Sequence, residues 1–232
     1  MTTPPPDAAG TPATDPRSRS IAGAWRSPRA WTILLVTIVV GLVADLWTKE
    51  VAFDRVAGQE VTVQRELVMV TDRLSTLIPD HEPVEVVPGV LNFTLVLNPG
   101  AVFGIGAGKR WVFVGFTVLA IAFAGWMFAG WTTRRDWGTH AALGLLVSGG
   151  LGNLYDRVMF ACVRDFIHPL PGVKLPFGIR WPNGSDEVWP YVSNVADAFL
   201  IAAIVMLLIV SLRKPAHEPS EKGDAPVSDA EA

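Results

Sequence analysis

Cysteine is almost missing from this chain: 232 residues hold one, Cys162. A single thiol excludes an intrachain disulfide, leaves the redox compartment open, and reads as a small buried apolar residue. Histidine is scarce too. Four residues with no His/Cys cluster offer no metal-ligand spacing, so neither a metal nor a cofactor is expected. The formal net charge of −3 is small and gives no basis for nucleic-acid binding. Neither a glycine-rich phosphate loop opening a helix nor a convincing Ser/His or Cys/His arrangement is present. Apolar residues are abundant instead: half the chain is hydrophobic, gathered in blocks too long for soluble domains of this length.

Residues 1–30 are rich in Pro, Ala, Thr and Ser and show no apolar periodicity. They read as a disordered tail whose last arginines, Arg26 and Arg29, flank a membrane span. The apolar blocks predict four spans, about 31–48, 111–131, 137–155 and 191–212, followed by a second disordered tail over 213–232. Terminal tryptophans suit the membrane interfaces. In the third span, Gly144, Gly149, Gly150 and Gly152 offer small surfaces for tight packing, and His140 is expected at the interface. The connection after span one predicts a helical piece around 60–77 and then a hairpin over 84–87 and 90–97, where β-branched residues alternate. Residues 158–190 read as a second polar connection.

Four spans place both termini on one side. The flanks Arg26/Arg29, Arg134/Arg135 and Arg213/Lys214 then lie together, which assigns that side to the cytoplasm. Asp45, Asn98, Asn153, Asp156, Arg157, Asp165, Asn194 and Asp197 all fall near the outer face. Ionisable groups at membrane depth are costly and mark function. For Asp45 and Lys49, at i and i+4, two readings stand: an interfacial ion pair with Lys49 snorkelling, or an Asp45 turned into a polar site. Two carboxylates in one low-dielectric site do not both ionise cheaply, so one keeps a proton and the pair can hydrolyse an amide. The same acids would also serve a proton- or ion-coupled transporter, or fix helix pairing. The residues alone leave these open.

Five separated blocks resemble the lipoprotein signal peptidase (signal peptidase II) family. They are Asp45-Leu-Trp-Thr-Lys49, Asn98-Pro-Gly-Ala-Val-Phe-Gly104, Gly149-Gly-Leu-Gly-Asn153-Leu-Tyr-Asp156-Arg157, Val163-Arg-Asp165-Phe166 and Asn194-Val-Ala-Asp197. The resemblance spans about residues 31–212. It implies an all-α membrane protein of four transmembrane helices with a small extracytoplasmic β-cradle and a mobile periplasmic helix, in the bacterial cytoplasmic (inner) membrane. The implied activity is aspartyl endopeptidase: removal of the signal peptide from diacylglyceryl-modified prolipoproteins, cut just before the lipidated cysteine. Asp165 and Asp197 match the catalytic pair. Asn98, Asn153, Arg157 and Asn194 match positions that line the site and hold substrate. Asp45, Lys49, Gly104, Gly152 and Asp156 match further motif positions whose part, support or contact, the sequence does not divide. The implied partners are prolipoproteins and membrane lipids, with no nucleic acid and a monomeric enzyme.

Four departures from the family pattern stand out. The tail before span one is long, as are the connections from Lys49 to Asn98 and from Phe166 to Asn194. Arg164 stands beside Asp165 where an apolar residue is common; a cation there would favour the ionised carboxylate.

Overall fold

The structure, a computed structural model, describes residues 23–100 and 110–213. The two tails expected to be disordered lie almost wholly outside the described residues, as does Gly104.

Helix α1, Pro28–Arg55, starts cleanly: Pro28 occupies the first helical position, and the Ser27 side chain accepts from Ala30 N. Its 28 residues reach roughly 42 Å, well beyond a hydrocarbon core of about 30 Å. The expected end near Thr48 is therefore too early. Ala52, Phe53 and Val56 continue the apolar face and bury it under a β-sheet, with Leu95, Leu97, Cys162 and Phe166. The predicted helix over 60–77 shrinks to α2, Arg65–Val70, and a single 3-10 turn at Leu74–Leu77. The backbone turns extended at Thr71, where β-branched neighbours disfavour helix.

Strands β1, Val84–Val87, and β2, Leu91–Asn98, form the predicted hairpin. Helix α3, Arg110–Trp131, and helix α4, Trp137–Met159, follow. Then comes a strand the sequence reading missed, β3, Val163–Pro169, inside the supposed polar connection. β3 pairs antiparallel with β2, giving the order β1-β2-β3. Helix α5, Val195–Arg213, starts four residues later than expected. The delay has a cause: Ser193 exchanges both backbone hydrogen bonds with Ile167 of β3, at 2.8 Å each, which holds the chain extended up to Asn194.

α1, α3 (from Trp111) and α5 are long and apolar enough to cross a membrane; α4, though 23 residues long, is not among them. Three of the four expected spans are thus matched by length and composition. α4 packs against α1, α3 and α5, which cover much of its surface. It carries buried Thr139, His140, Ser148, Asn153 and Asp156 and approaches its neighbours through glycine. A Cβ at Gly144 would overlap Thr37, and one at Gly149 would overlap the Ala196 carbonyl. His140 is fully buried, edge-on to Phe128 at 5.3 Å between ring centres.

Candidate active site

The Ser193–Ile167 bridge decides the site. It ties the strand that carries Asp165 to the segment that becomes the first turn of α5, where Asp197 lies. That turn is a capping box: Asp197 N donates to Asn194 Oδ1 at 3.0 Å, and Asn194 N donates back to Asp197 Oδ2 at 3.3 Å. A third N–H of this helix end, Ala196 N, donates to Asp45 Oδ1 of α1 at 2.8 Å. The helix terminus is thus satisfied by the side chains that build the site.

Around the two acids lies a layer of three amides, each turned by a second contact. Asn98 Oδ1 accepts from Gly100 N at 2.9 Å, an Asx turn, which leaves Asn98 Nδ2 to donate to Asp165 Oδ2 at 3.0 Å. Asn194 Oδ1 is occupied by the cap, so its Nδ2 donates to Asp165 Oδ1 at 2.6 Å and to Asn153 Oδ1 at 3.1 Å. Asn153 Oδ1 also accepts from Lys49 Nζ at 3.2 Å, and Asn153 Nδ2 donates to Asp197 Oδ1 at 2.7 Å. Every amide orientation follows from its neighbours.

Behind the amides lies a frame of four buried charges. Lys49 Nζ meets Asp45 Oδ2 at 2.8 Å and Asp156 Oδ2 at 3.3 Å, all three side chains fully buried. Arg164 meets the other Asp156 oxygen at 3.1 Å, and its backbone N donates to Asp156 Oδ2. Of the two readings of Asp45 and Lys49, the geometry follows the second: neither residue ends the helix, and Lys49 does not snorkel. Gly152 of α4 faces this frame, and a Cβ there would overlap Asp45 Oδ2, so only glycine lets the frame close.

Arg164 turns away from Asp165, as adjacent strand residues do. It is held by Asp156, by Glu50 at 2.9 Å and by the Phe160 ring at 4.4 Å. The anticipated cation beside Asp165 is therefore engaged elsewhere. Arg157 is held differently. It forms no ion pair among the described residues, because Asp156 is already taken by Lys49 and Arg164. Its Nη1 donates to the Asn153 carbonyl at 3.1 Å, its guanidinium lies 5.4 Å from the Phe113 ring, and its Nε is buried with no partner among the described residues.

Burial, then the nearby Asp197 charge, pushes the Asp165 carboxyl up to about 7, against the lowering effect of the Asn98 and Asn194 donors. Cys162 is fully buried, as expected, and that burial pushes its thiol up to about 12, which disfavours the reactive thiolate. The structure thus brings together Asp45, Lys49, Asn98, Asn153, Asp156, Asp165, Asn194 and Asp197, with Gly152 against the frame. Two participants escaped sequence reasoning: the Arg164–Glu50 pair and the Ala196 N–H. The capping box went unread as well, although Asn-x-x-Asp opening an apolar run is a helix-start signal that could have marked it.

A family model described as Signal peptidase (SPase) II matches residues 36–213. The lipoprotein signal peptidase of Desulfitobacterium hafniense strain DSM 10664 / DCB-2 is 31% identical over 186 residues, 80% of this chain and 97% of the relative. That of Streptococcus pyogenes serotype M1 is 35% identical over 123 residues, 53% of this chain and 70% of the relative. That of Bifidobacterium longum subsp. infantis is 38% identical over 138 residues, 58% and 65% of the two chains. Two solved bacterial membrane enzyme structures share the fold at 24% and 23% identity, with TM-scores of 0.55 and 0.54. They cover 84% and 78% of this chain and 94% of each of those chains. On the match of the family model over most of its length, this chain belongs to the signal peptidase II family and is with it a protease.

Proposed function

We propose that this protein is an aspartyl endopeptidase that removes the signal peptide from diacylglyceryl-modified prolipoproteins. The scissile bond is the peptide bond just before the lipidated cysteine. The observation that carries this reading is that Asn194 touches both acids at once: its Nδ2 donates to Asp165, and its backbone and Oδ1 close the cap with Asp197. One residue thereby sets the two carboxylates side by side.

The pair works with a single shared proton. The ionised carboxylate takes a proton from water as the water oxygen bonds to the scissile carbonyl carbon. The protonated carboxyl donates to the carbonyl oxygen as it becomes an oxyanion. Collapse of the tetrahedral intermediate breaks the C–N bond, and the proton taken from water passes to the leaving cysteine amine. Asn98, Asn153 and Asn194 hold the acids in place. Arg157, free of any ion pair among the described residues, keeps guanidinium N–H groups for a substrate carbonyl. Asp45, Lys49, Gly152 and Asp156 support this layer from behind. Gly104, outside the described residues, is assigned to the same supporting set by its motif position alone.

The fourth span in this reading is α4, shielded from lipid by its neighbours, in a membrane peptidase domain over about 31–212. Four spans set both termini in the cytoplasm and the acids near the outer face of the bacterial inner membrane, where a lipid-anchored substrate meets them while its acyl chains stay in hydrocarbon. Both acids come from one chain, which suits a monomer. Neither metal nor cofactor enters the reaction.

The test is cleavage of a diacylglyceryl-modified prolipoprotein by the purified protein in detergent, followed from pH 5 to 9. The signal peptide is expected to be released and kcat to fall as pH rises through about 7, when Asp165 loses the shared proton. A folded protein that never cuts this substrate overturns the reading; solute or ion flux in liposomes would then favour a carrier. Cleavage with a flat profile over that range would reject the shared-proton pair.

A further inference from the structure

β2 is paired unevenly. On one side β3 follows it to its end, with Val96 opposite Asp165, Leu97 opposite Arg164 and Asn98 opposite Val163. On the other side β1 stops at the Val84–Phe93 pair, and among the described residues no strand lies along Leu95–Leu97. The register slips by one residue between Phe93 and Val96, a β-bulge. The Leu95 N–H released there donates to His81 Nε2 at 3.1 Å. The opposite ring nitrogen, Nδ1, lies 2.9 Å from the Pro79 carbonyl, an acceptor only, so Nδ1 bears the hydrogen and Nε2 accepts.

Two residues on, the backbone of Leu97 points the same way as that of Leu95, because strand residues alternate. The side chains agree: Leu95 and Leu97 both enter the same buried cluster. The Leu97 N–H and C=O therefore face away from β3. They face a cavity of about 250 Å³ between the edge of β2 and the segment Ser75–His81. The strand residue beside this cavity, Val96, is 37% exposed and stands opposite Asp165.

We propose that this edge receives the residues that follow the lipidated cysteine, bound as an added antiparallel or parallel strand on Leu97 and ended at His81. The inference rests on the peptidase reading above. An unpaired sheet edge offers main-chain hydrogen bonds to any extended peptide. The edge begins beside Asn98, which donates to Asp165; in the peptidase reading the apolar signal peptide stays among the helices, which leaves the sheet edge to the mature part of a substrate. His81 is a positioning residue: by holding the Leu95 N–H it shapes the bulge and presents Leu97.

The experiment uses the unaltered enzyme and a synthetic diacylglyceryl peptide whose second to fifth residues after the cysteine are replaced, one at a time, by their ester analogues. Each ester removes one N–H donor. Loss of a strand hydrogen bond is expected to lower kcat/KM about three- to tenfold at the position that donates to the Leu97 carbonyl, and not at its neighbours. A loss confined to the position that donates to the Leu97 carbonyl, with its neighbours unaffected, is the signature of pairing on that residue. Equal kcat/KM for all esters, with the all-amide peptide cut normally, would overturn the proposal. No cleavage of the all-amide peptide would overturn the peptidase reading and this one with it. In a second arm, His81→Ala is expected to lose kcat/KM on the long peptide, to be restored by His81→Gln, and to match the parent on a peptide ending one residue after the cysteine. An equal loss on both peptides would make His81 merely structural and reject its place in the subsite.

Discussion

Asp165→Asn is expected to reduce kcat by about 10²–10⁴-fold while leaving an intact, membrane-inserted protein. An amide cannot hold the shared proton that Asp165 presents to the scissile carbonyl oxygen, so the polarisation of that carbonyl as water adds is lost. The fold has little reason to fail. The amide introduced at position 165 would still accept one of the two bonds now given by Asn98 and Asn194, and would meet the other donor with its own NH₂. One frustrated hydrogen bond costs about 1 kcal/mol, set against relief from burying a charge beside Asp197. The sign of the pH effect follows. The folded Asp165 carboxyl titrates at about 7, above its unfolded range, so in the parent this group favours the folded state at low pH. That contribution is lost as pH rises through about 7. The parent is therefore expected to lose more thermal stability between pH 5 and pH 8 than the variant does. Single-turnover cleavage and thermal unfolding in detergent, run on both proteins, decide it. Turnover in the variant within tenfold of the parent would dismiss Asp165 as half of the pair.

The second large effect is on stability. Lys49→Met keeps the length of the side chain and removes its charge from between Asp45 and Asp156, all of them fully buried. Removing one partner of a buried ionic set strands the others, at a cost of about 3–5 kcal/mol. Arg164 still compensates Asp156, so Asp45 is the group left uncompensated. The double variant Asp45→Asn with Lys49→Met is accordingly expected to recover much of the stability, since the amide oxygen introduced at position 45 can still accept from Ala196 N. Recovery of activity should be smaller. Lys49 also holds Asn153 Oδ1, and through that amide the orientation of Asn153 toward Asp197. A double variant no more stable than Lys49→Met alone would show that the frame is not coupled as its distances imply.

Much of this was legible in the residues themselves. α3, with no formal charge from Trp111 to Trp131, follows from hydropathy, because lipid demands it of any helix that faces it. The β1–β2 hairpin follows from alternating β-branched residues around a turn at Gly89. The gathering of polar residues at one end of the helices follows from span order. The family followed from five short blocks.

Other features depended on contacts between residues far apart in sequence, which no local pattern encodes. β3 was hidden in a polar connection because a short strand is specified by its partner: Val163–Pro169 becomes a strand only against β2. α4 looked like one span among four, yet its polar residues and glycines are explained by the three helices around it. Spacing placed Asp45 and Lys49 together but could not tell a snorkelling pair from a buried one; Asp156, more than a hundred residues on, made the difference. Arg164 looked like a threat to its neighbour Asp165 until the alternation of β3 sent it to Asp156 and Glu50. Residue identity supplied the chemistry, the helices and the cap of α5, which are local and periodic. The tertiary structure alone joined Ser193 to Ile167 and so brought the two carboxylates within one hydrogen-bond network, because that pairing depends on backbone groups that every residue carries alike.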